Sequence, residues 1–225
     1  MSARQNTNLH GTVAVMFSSD SAKYTGFTQD LERLILPEGT VKDFEIGTDS
    51  CELLNRLTER ALERGSYWIW FITEEHSFGP DVVERLLSRG EPLVAPVLLG
   101  RSSPFYPECY VGLDESGRYV PLLLNEVTGP GTMVEVRAAS ATGMLIRSAV
   151  LKPVRQPWFR YAPDGNDFTY FNERAREAGF QPYVDTSVRI GNRYTASLLP
   201  IHKGGHWELA IDVGGDISMS QRIRH

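Results

Sequence analysis

The residues with the clearest potential for chemistry are Glu74, Glu75 and His76, which lie just beyond an apolar run. That run, residues 67–72, is apolar or aromatic throughout and is followed by Thr73. It predicts a strand that is buried on both faces. Polar ligands of open α/β sheets bind beyond the carboxyl ends of such strands. The two carboxylates and the imidazole could therefore hold a divalent cation or a polar substrate, and a solvated turn is the alternative.

A second set of polar side chains follows the first predicted strand, residues 13–17. Phe17 ends that strand, and Ser18, Ser19 and Asp20 open the next loop. Hydroxyl groups and backbone amides in such a loop can hold a nucleotide. The loop lacks the glycine patterns of dinucleotide-binding and P-loop proteins, so no specific nucleotide motif supports this interpretation.

Alternating strand and helix patterns must position these loops. Asp49 predicts the start of one helix and Gly65 its end. Pro80 and Gly90 bracket another helix in the same way. The alternation predicts a mainly parallel sheet with helices on its faces. The expected strands are 13–17, 41–46, 67–72 and 93–99, and the expected helices include 27–36 and 81–88.

The second half of the chain has a different character. We expect strands at 119–124 and 133–136 around a turn at 129–131, and a strand end that runs into a short helix over 144–151. Asn166 can cap a helix that Gly179 ends. A hairpin is expected from strands 194–201 and 207–213, which flank Lys203-Gly204-Gly205. One domain is the simplest organisation.

Composition excludes several classes of protein. The chain has 225 residues, 41% of them hydrophobic, which suits one globular domain. Its net charge of −5 argues against a broad nucleic-acid-binding surface. Cys51 and Cys109 are too few for a disulfide framework or a zinc site. We find no signal-peptide core and no apolar run near the ~20 residues that span a bilayer. We therefore expect a cytoplasmic protein, in the host cytoplasm if a phage encodes it.

Several segments resemble, in order along the chain, GT-A glycosyltransferases, especially the small bacterial and phage enzymes related to glycosyltransferase family 2. The apolar strand, its acidic motif and the Pro-Asp helix start match residues 70–81. Later segments match in the same order. They are small residues leading to Ile-Arg (141–147), a Pro-Trp-Phe (157–159), an acidic pair before a helix (165–168), the helix itself (171–180) and a strand that contains Asp185 and 188–191. The resemblance covers roughly residues 11 to 192.

The resemblance implies an α/β fold of the GT-A type, Rossmann-like, with a mainly parallel central sheet flanked by helices and a C-terminal β-hairpin extension. A single domain, 1–225, would contain a donor-binding half, about 11–100, and an acceptor half, about 101–225. The implied activity moves a sugar from a nucleoside-diphosphate sugar to an acceptor hydroxyl, with inversion. Mn²⁺ or Mg²⁺ would stabilise the leaving diphosphate.

The same resemblance implies roles for individual residues. Glu75 would bind the metal, with Asn192 where a histidine often serves as a second ligand. Glu74 would face the sugar or the ribose, and Thr73 replaces the first acidic residue of the motif. Asp167 matches the carboxylate that removes the acceptor's hydroxyl proton. The alternative for Asp167 is a carboxylate that is favoured by a helix N-terminus.

The remaining candidates lie on either side of the expected sugar nucleotide. Asn55 and Arg56 correspond to an Arg-Asn pair of the family, and Arg101 could contact a phosphate or remain solvated. On the acceptor side, Trp158 and Phe159 would form an apolar platform for a sugar ring or pack in the core. Asn166 precedes the expected base.

Two departures from the family pattern, Thr73 and Asn192, weaken the implied metal site. His202 and His206 could supply a ligand, or they could be surface positions of the hairpin. These departures motivate a second hypothesis, a non-catalytic module on the same fold that binds a nucleotide sugar or a glycan. A nucleotidyltransferase would need a glycine-rich, basic phosphate loop, which residues 18–23 lack.

The sequence leaves the acceptor open among three classes, namely a modified base in phage-type DNA, a capsid-like protein or a saccharide. The acidic net charge argues mildly against DNA, and the missing membrane segment argues mildly against a lipid-linked acceptor.

Overall fold

The structure, a computed structural model, describes residues 10–19, 24–101, 105–126, 131–162, 169–213 and 217–222, with backbone alone for the last range. The helices are α1 (Thr25–Glu32), α2 (Ser50–Glu63), α3 (Val82–Ser88), α4 (Ser148–Leu151) and α5 (Thr169–Glu177). A short 3-10 helix covers Leu124–Glu126.

The strands form three sheets. In chain order they are β1 (Thr12–Ser18), β2 (Val41–Gly47), β3 (Trp68–Thr73), β4 (His76–Ser77), β5 (Leu93–Leu98), β6 (Cys109–Leu113), β7 (Tyr119–Pro121), β8 (Met133–Glu135), β9 (Ala138–Ala139), β10 (Leu145–Arg147), β11 (Tyr183–Asn192), β12 (Ala196–Lys203), β13 (His206–Val213) and β14 (Ile217–Arg222).

The central sheet has eight strands in the order β2-β1-β3-β10-β5-β11-β4, with β8 beside β11. β1 runs parallel to β2 and β3, and β11 runs parallel to β5. β10 lies antiparallel between β3 and β5. The predicted fold class, a mainly parallel sheet flanked by helices with a C-terminal hairpin, is therefore confirmed.

β3 lies in the middle of the core because alternate side chains enter two apolar clusters. Ile69 and Phe71 pack in the cluster that contains α2 and α5, whereas Trp68 and Trp70 pack in the cluster that contains α1 and α3. All four side chains are at most 1% exposed. Burial of each such side chain contributes about 1.5–3 kcal/mol to folding. The strand predicted from its apolar run is therefore buried on both faces, as expected.

The ends of α2 follow from its sequence. The Asp49 carboxylate accepts a hydrogen bond from the Glu52 N–H at 2.9 Å and so caps the first turn. At the other end Gly65 has a φ of +72°, and the N–H groups of Gly65 and Ser66 donate to Leu62 O and Ala61 O. This is the Schellman arrangement that glycine favours. Both predicted ends of the helix are confirmed.

Two sequence-based predictions about local structure are wrong. α1 ends at Glu32 rather than at 36, and the effect of Pro37 reaches only Leu36, the residue before it. The N–H of Ile35 bonds instead to Pro80 O at 2.8 Å. The strands expected at 119–124 and 133–136 do not pair with each other, since β7 pairs with β6 and β8 with β11. Residues 129 and 130 of the expected turn lie outside the described ranges.

The C-terminal hairpin is confirmed and gains a third strand. β12 pairs with β13 across Gly204 and Gly205, whose φ values of +59° and +80° suit the turn. β14 pairs with the other side of β13 and was not predicted. His202 and His206, which were possible metal ligands, lie on this separate sheet.

Both cysteines are buried and have free thiols. Burial, with a further contribution from the Glu108 charge, raises the pKa of Cys109 to about 12. A thiol with this pKa is protonated at neutral pH and is a poor nucleophile. No helix in the described part of the chain is long and apolar enough to cross a bilayer.

Candidate functional site

Five strands of the central sheet end on the same side, which we call the carboxyl edge. β3 and β5 share one direction because both are antiparallel to β10. β1 and β2 follow β3, and β11 follows β5. Open α/β sheets bind ligands at this edge. The last residues of the five strands are Ser18, Gly47, Thr73, Leu98 and Asn192.

Glu74 joins the ends of two of these strands. Its side-chain Oε1 accepts a hydrogen bond from the Ser18 N–H at 3.1 Å, and its own N–H donates to Met16 O at 3.3 Å. The residue is only 1% exposed. A carboxylate this deeply buried needs such partners. Glu74 is therefore part of a fixed junction between β1 and β3, and it is not in a solvated turn.

His76 is buried and is held as a neutral ring. It is 3% exposed, and its Nδ1 accepts a hydrogen bond from the Thr73 N–H at 3.3 Å. Burial lowers the pKa of His76 to about 4. Because Nδ1 accepts this bond, the ring proton is on Nε2. His76 therefore stabilises the turn after β3 and is not a general base with a lone pair aimed at the carboxyl edge.

Glu75 is bound to a cation supplied by the chain itself. Its carboxylate forms an ion pair with the Arg101 guanidinium, and the two side chains are 27% and 40% exposed. The guanidinium carbon lies 5.0 Å from the centre of the Tyr194 ring, within range of a cation–π contact. The Tyr194 hydroxyl donates to Arg101 O at 3.0 Å. Tyr194 thus holds both the backbone and the side chain of Arg101.

Arg193 fastens β11 to the turn after β3. Its N–H donates to Glu75 O at 2.6 Å and its Nε donates to His76 O at 3.2 Å. Its Nη2 forms an ion pair with Asp30 at 2.5 Å, and Asp30 also accepts from the Phe78 N–H at 3.3 Å. The sequence interpretation missed Arg193 and Tyr194. Their position directly after a strand that ends at the carboxyl edge is the signal that could have found them.

A pocket of about 250 Å³ opens between the ends of β5 and β11. The Asn192 side chain spans these ends, since its Nδ2 donates to Leu99 O at 2.7 Å. Tyr194 contributes both to this pocket and to the Arg101 contact, so the pocket and the ion pair are adjacent. The pocket walls are Leu99, Gly100, Phe105, Ile190, Gly191, Asn192 and Tyr194.

The described residues at the carboxyl edge do not fit a metal held by the protein. Within the described ranges there is no group of three or more His, Cys, Asp or Glu side chains that could hold a metal ion. Glu75 is paired with Arg101, and Glu74 is bound to the Ser18 N–H. Asn192 offers a neutral amide oxygen, which is a weaker ligand for a hard cation than a carboxylate.

Asn55 of α2 was an expected nucleotide contact, but its side chain bonds to the backbone of a buried residue. Its Nδ2 donates to Phe159 O at 2.8 Å, and its Oδ1 accepts from the Phe159 N–H at 3.1 Å. Arg56, the next residue, is half exposed and pairs with Glu52 and Glu45. The ring positions expected to form a sugar platform are also buried, with Trp158 5% and Phe159 1% exposed.

Strands β1 and β2 contribute an aromatic pair. Phe17 stacks on Phe44 of β2, with ring centres 6.0 Å apart and planes 17° apart. Phe44 is 46% exposed. The Ser19 N–H donates to Gly47 O at 3.3 Å, which holds the ends of β1 and β2 together. Asp20, Asn166 and Asp167, all candidates from the sequence, lie outside the described residues.

Comparisons with known proteins identify the fold. No protein-family model matches the sequence, and no curated protein matches it in sequence. Among solved structures, A197 from STIV is similar over 96% of this chain and 98% of its own, with 12% identity and a TM-score of 0.55. GalNAc-T7, crystallised with UDP, GalNAc and Mn²⁺, is similar over 83% of this chain, with 10% identity and a TM-score of 0.57. The fold is GT-A-like. This chain spans 44% of the GalNAc-T7 chain, and identities this low show the fold alone.

Proposed function

We propose that the protein is a glycosyltransferase that moves a sugar from a nucleoside-diphosphate sugar to an acceptor hydroxyl. The observation that carries this proposal is the junction of Glu74 with the Ser18 N–H at the carboxyl edge of a GT-A-like sheet. It joins the two loops, after β1 and after β3, that the sequence associates with nucleotide and sugar binding. The GT-A-like neighbour GalNAc-T7 was crystallised with UDP and GalNAc, which supports the same class of ligand.

In this proposal the ends of β1 and β3 bind different parts of the sugar nucleotide. The stacked rings of Phe17 and Phe44 offer an apolar face for a base, and Ser18 and Ser19 lie beside them for the ribose. Thr73 ends β3, and we assign the sugar to this strand end. Glu74, which is buried, acts there through its hydrogen bond with the Ser18 N–H. The junction keeps the two loops in a fixed relation before the ligand arrives, which reduces the ordering cost of binding.

The transfer step requires a base on the acceptor. The acceptor oxygen forms a bond to the anomeric carbon, the bond from that carbon to the diphosphate breaks, and the hydroxyl proton passes to a carboxylate. We propose Asp167 for this role, with inversion at the anomeric carbon. The three acceptor classes, a base in phage-type DNA, a capsid-like protein and a saccharide, all present a hydroxyl that suits this chemistry.

The test is the release of nucleoside diphosphate from a panel of UDP-, GDP-, ADP- and dTDP-sugars, each with the three acceptor classes and with either Mn²⁺ or EDTA. We expect release from one sugar nucleotide. Asp167→Asn should abolish release and retain binding of that sugar nucleotide, whereas Asp81→Asn, a matched change at a half-exposed side chain, should leave both unchanged. A folded protein that neither binds nor cleaves any sugar nucleotide would refute the proposal.

A second candidate, a non-catalytic module that binds a nucleotide sugar or glycan, is favoured by one observation. Glu75, the residue expected to bind a catalytic cation, is already paired with Arg101. Turnover separates the two candidates. A binding module would hold the sugar nucleotide in a titration and release no nucleoside diphosphate with any acceptor.

A further inference from the structure

Two of the arginines described at the carboxyl edge, Arg193 and Arg101, differ in how far their guanidinium groups are already bonded. Arg193 is occupied by structural contacts, because its guanidinium binds both Asp30 and the His76 carbonyl. Arg101 is contacted by one carboxylate among the described residues, that of Glu75. A guanidinium has five N–H donors in a planar fork that matches phosphate oxygens. A single ion pair therefore leaves donors on Arg101 that can bind a phosphate.

Arg101 is also held in place before any ligand binds. The Tyr194 ring lies under its guanidinium at 5.0 Å, and the Tyr194 hydroxyl fixes its backbone carbonyl at 3.0 Å. Its side chain is 40% exposed, so an anion at the carboxyl edge can reach it. An arginine that is oriented by its neighbours loses less conformational freedom when it binds an anion.

Among the described residues, no group of three or more His, Cys, Asp or Glu side chains could hold a divalent cation. The partly exposed carboxylate beside Arg101 is that of Glu75, and Arg101 neutralises it. A cation at Glu75 would have to displace a guanidinium or lie next to it, and like charges in contact repel each other. The position that the family resemblance assigns to a metal ion is thus already occupied by a positive side chain.

We propose that Arg101, instead of a divalent cation, neutralises the diphosphate of the sugar nucleotide, and that Glu75 is the counter-ion that holds Arg101 when the site is empty. This inference rests on the proposed function, since it concerns the same ligand. The two residues therefore have opposite effects on the affinity for the diphosphate. Arg101 attracts the diphosphate, and the Glu75 carboxylate competes with the diphosphate for the same guanidinium.

The test is a calorimetric titration of UDP, GDP, ADP and dTDP into the 225-residue chain, in EDTA and in Mn²⁺. We expect one of them to bind with Kd values that agree within about threefold in the two buffers. Arg101→Gln should weaken binding by about 10–100-fold in both, because a charge-assisted hydrogen bond to phosphate is lost. Arg101→Lys, which retains charge without the fork, should give a smaller loss. Arg118→Gln, at an exposed turn, is the matched control.

Glu75→Gln is the most informative variant. A counter-ion role and a metal-ligand role for Glu75 predict opposite changes in affinity for the diphosphate. If Glu75 is a counter-ion, this variant binds the diphosphate at least as tightly as the wild type in EDTA. If Glu75 is a metal ligand, wild-type binding requires Mn²⁺ and Glu75→Gln loses it, which would overturn the inference and leave the proposed function intact. Metal-independent binding that Arg101→Gln does not weaken would also overturn it. A folded protein that binds no nucleoside diphosphate in either buffer would refute the proposed function and this inference together.

Discussion

Asn55 and Phe159 are joined by a pair of hydrogen bonds between residues that are 104 positions apart in the sequence. One side-chain amide satisfies both the N–H and the carbonyl of a buried residue. Asn55→Ala would leave those two backbone groups without partners in the core. We expect this variant to lose about 2–3 kcal/mol of unfolding free energy, measured by chemical denaturation. Arg56→Ala, which removes exposed ion pairs one residue away, should lose less than about 1 kcal/mol. Equal losses for the two variants would contradict this account.

Gly11 lies against the ring of Trp68 at the start of β1. A Cβ at this position would lie 2.2 Å from the ring atoms Cδ2 and Cε2, far inside van der Waals contact. Because Trp68 is packed in the core, its ring cannot move away freely. Gly11→Ala should therefore cost about 3 kcal/mol of stability. Gly112→Ala, where a Cβ meets no atom within 4 Å, should change stability by less than about 0.5 kcal/mol. Thermal unfolding of both variants is the measurement.

Asp185 is a fully buried carboxylate that anchors β11. Burial alone would raise the pKa of Asp185, but hydrogen bonds from Arg89 and Ser187 outweigh burial and lower it. Asp185→Asn would leave Arg89 facing a neutral amide. We expect a loss of about 2–3 kcal/mol, because Arg89 is partly exposed and can recover some hydration. Asp81→Asn, in an exposed pair with Arg85, should cost less than about 1 kcal/mol. A tolerated Asp185→Asn in denaturant titration would show that the pair contributes little.

His76 predicts a specific dependence of stability on pH. Its pKa is lowered from 6.5 to about 4 in the folded protein, so below pH 6.5 the unfolded chain binds the proton more readily. Stability should be complete above about pH 6.5 and should decline as the pH falls towards 4. The total loss is about 3 kcal/mol at 1.4 kcal/mol per pH unit. The neighbouring charged groups, Arg193 and Asp30, form an ion pair with each other.

The His76 prediction is checked by denaturant titrations between pH 4 and pH 7. His76→Gln should be less stable at neutral pH and should lose less stability over this range than the wild type. His202→Gln, at an exposed position of the C-terminal sheet, should retain the wild-type slope. Identical slopes for the wild type and His76→Gln would show that His76 is not the group that titrates.

Local sequence signals predicted the elements that depend on neighbours in the chain. Asp49 and Gly65 set the ends of α2 because capping involves residues within one turn. The run before Thr73 predicted a buried strand because its side chains are apolar at consecutive positions. The pairing of Glu75 with Arg101 was not predictable in this way, since the two residues meet only when the ends of β3 and β5 share one edge. The hydrogen bonds between Asn55 and Phe159 were not predictable for the same reason.

β10 separates β3 from β5, and this order has a consequence for how the chain folds as it is synthesised. Leu145 pairs with Trp70 on one side and with Val94 on the other. The two flanking strands leave the ribosome long before β10 does, so their backbone N–H and carbonyl groups remain unpaired along the intervening side until then. Unpaired strand edges of this kind invite association with other chains. The nascent protein should therefore depend most on chaperones in the interval between the synthesis of β5 and the arrival of β10.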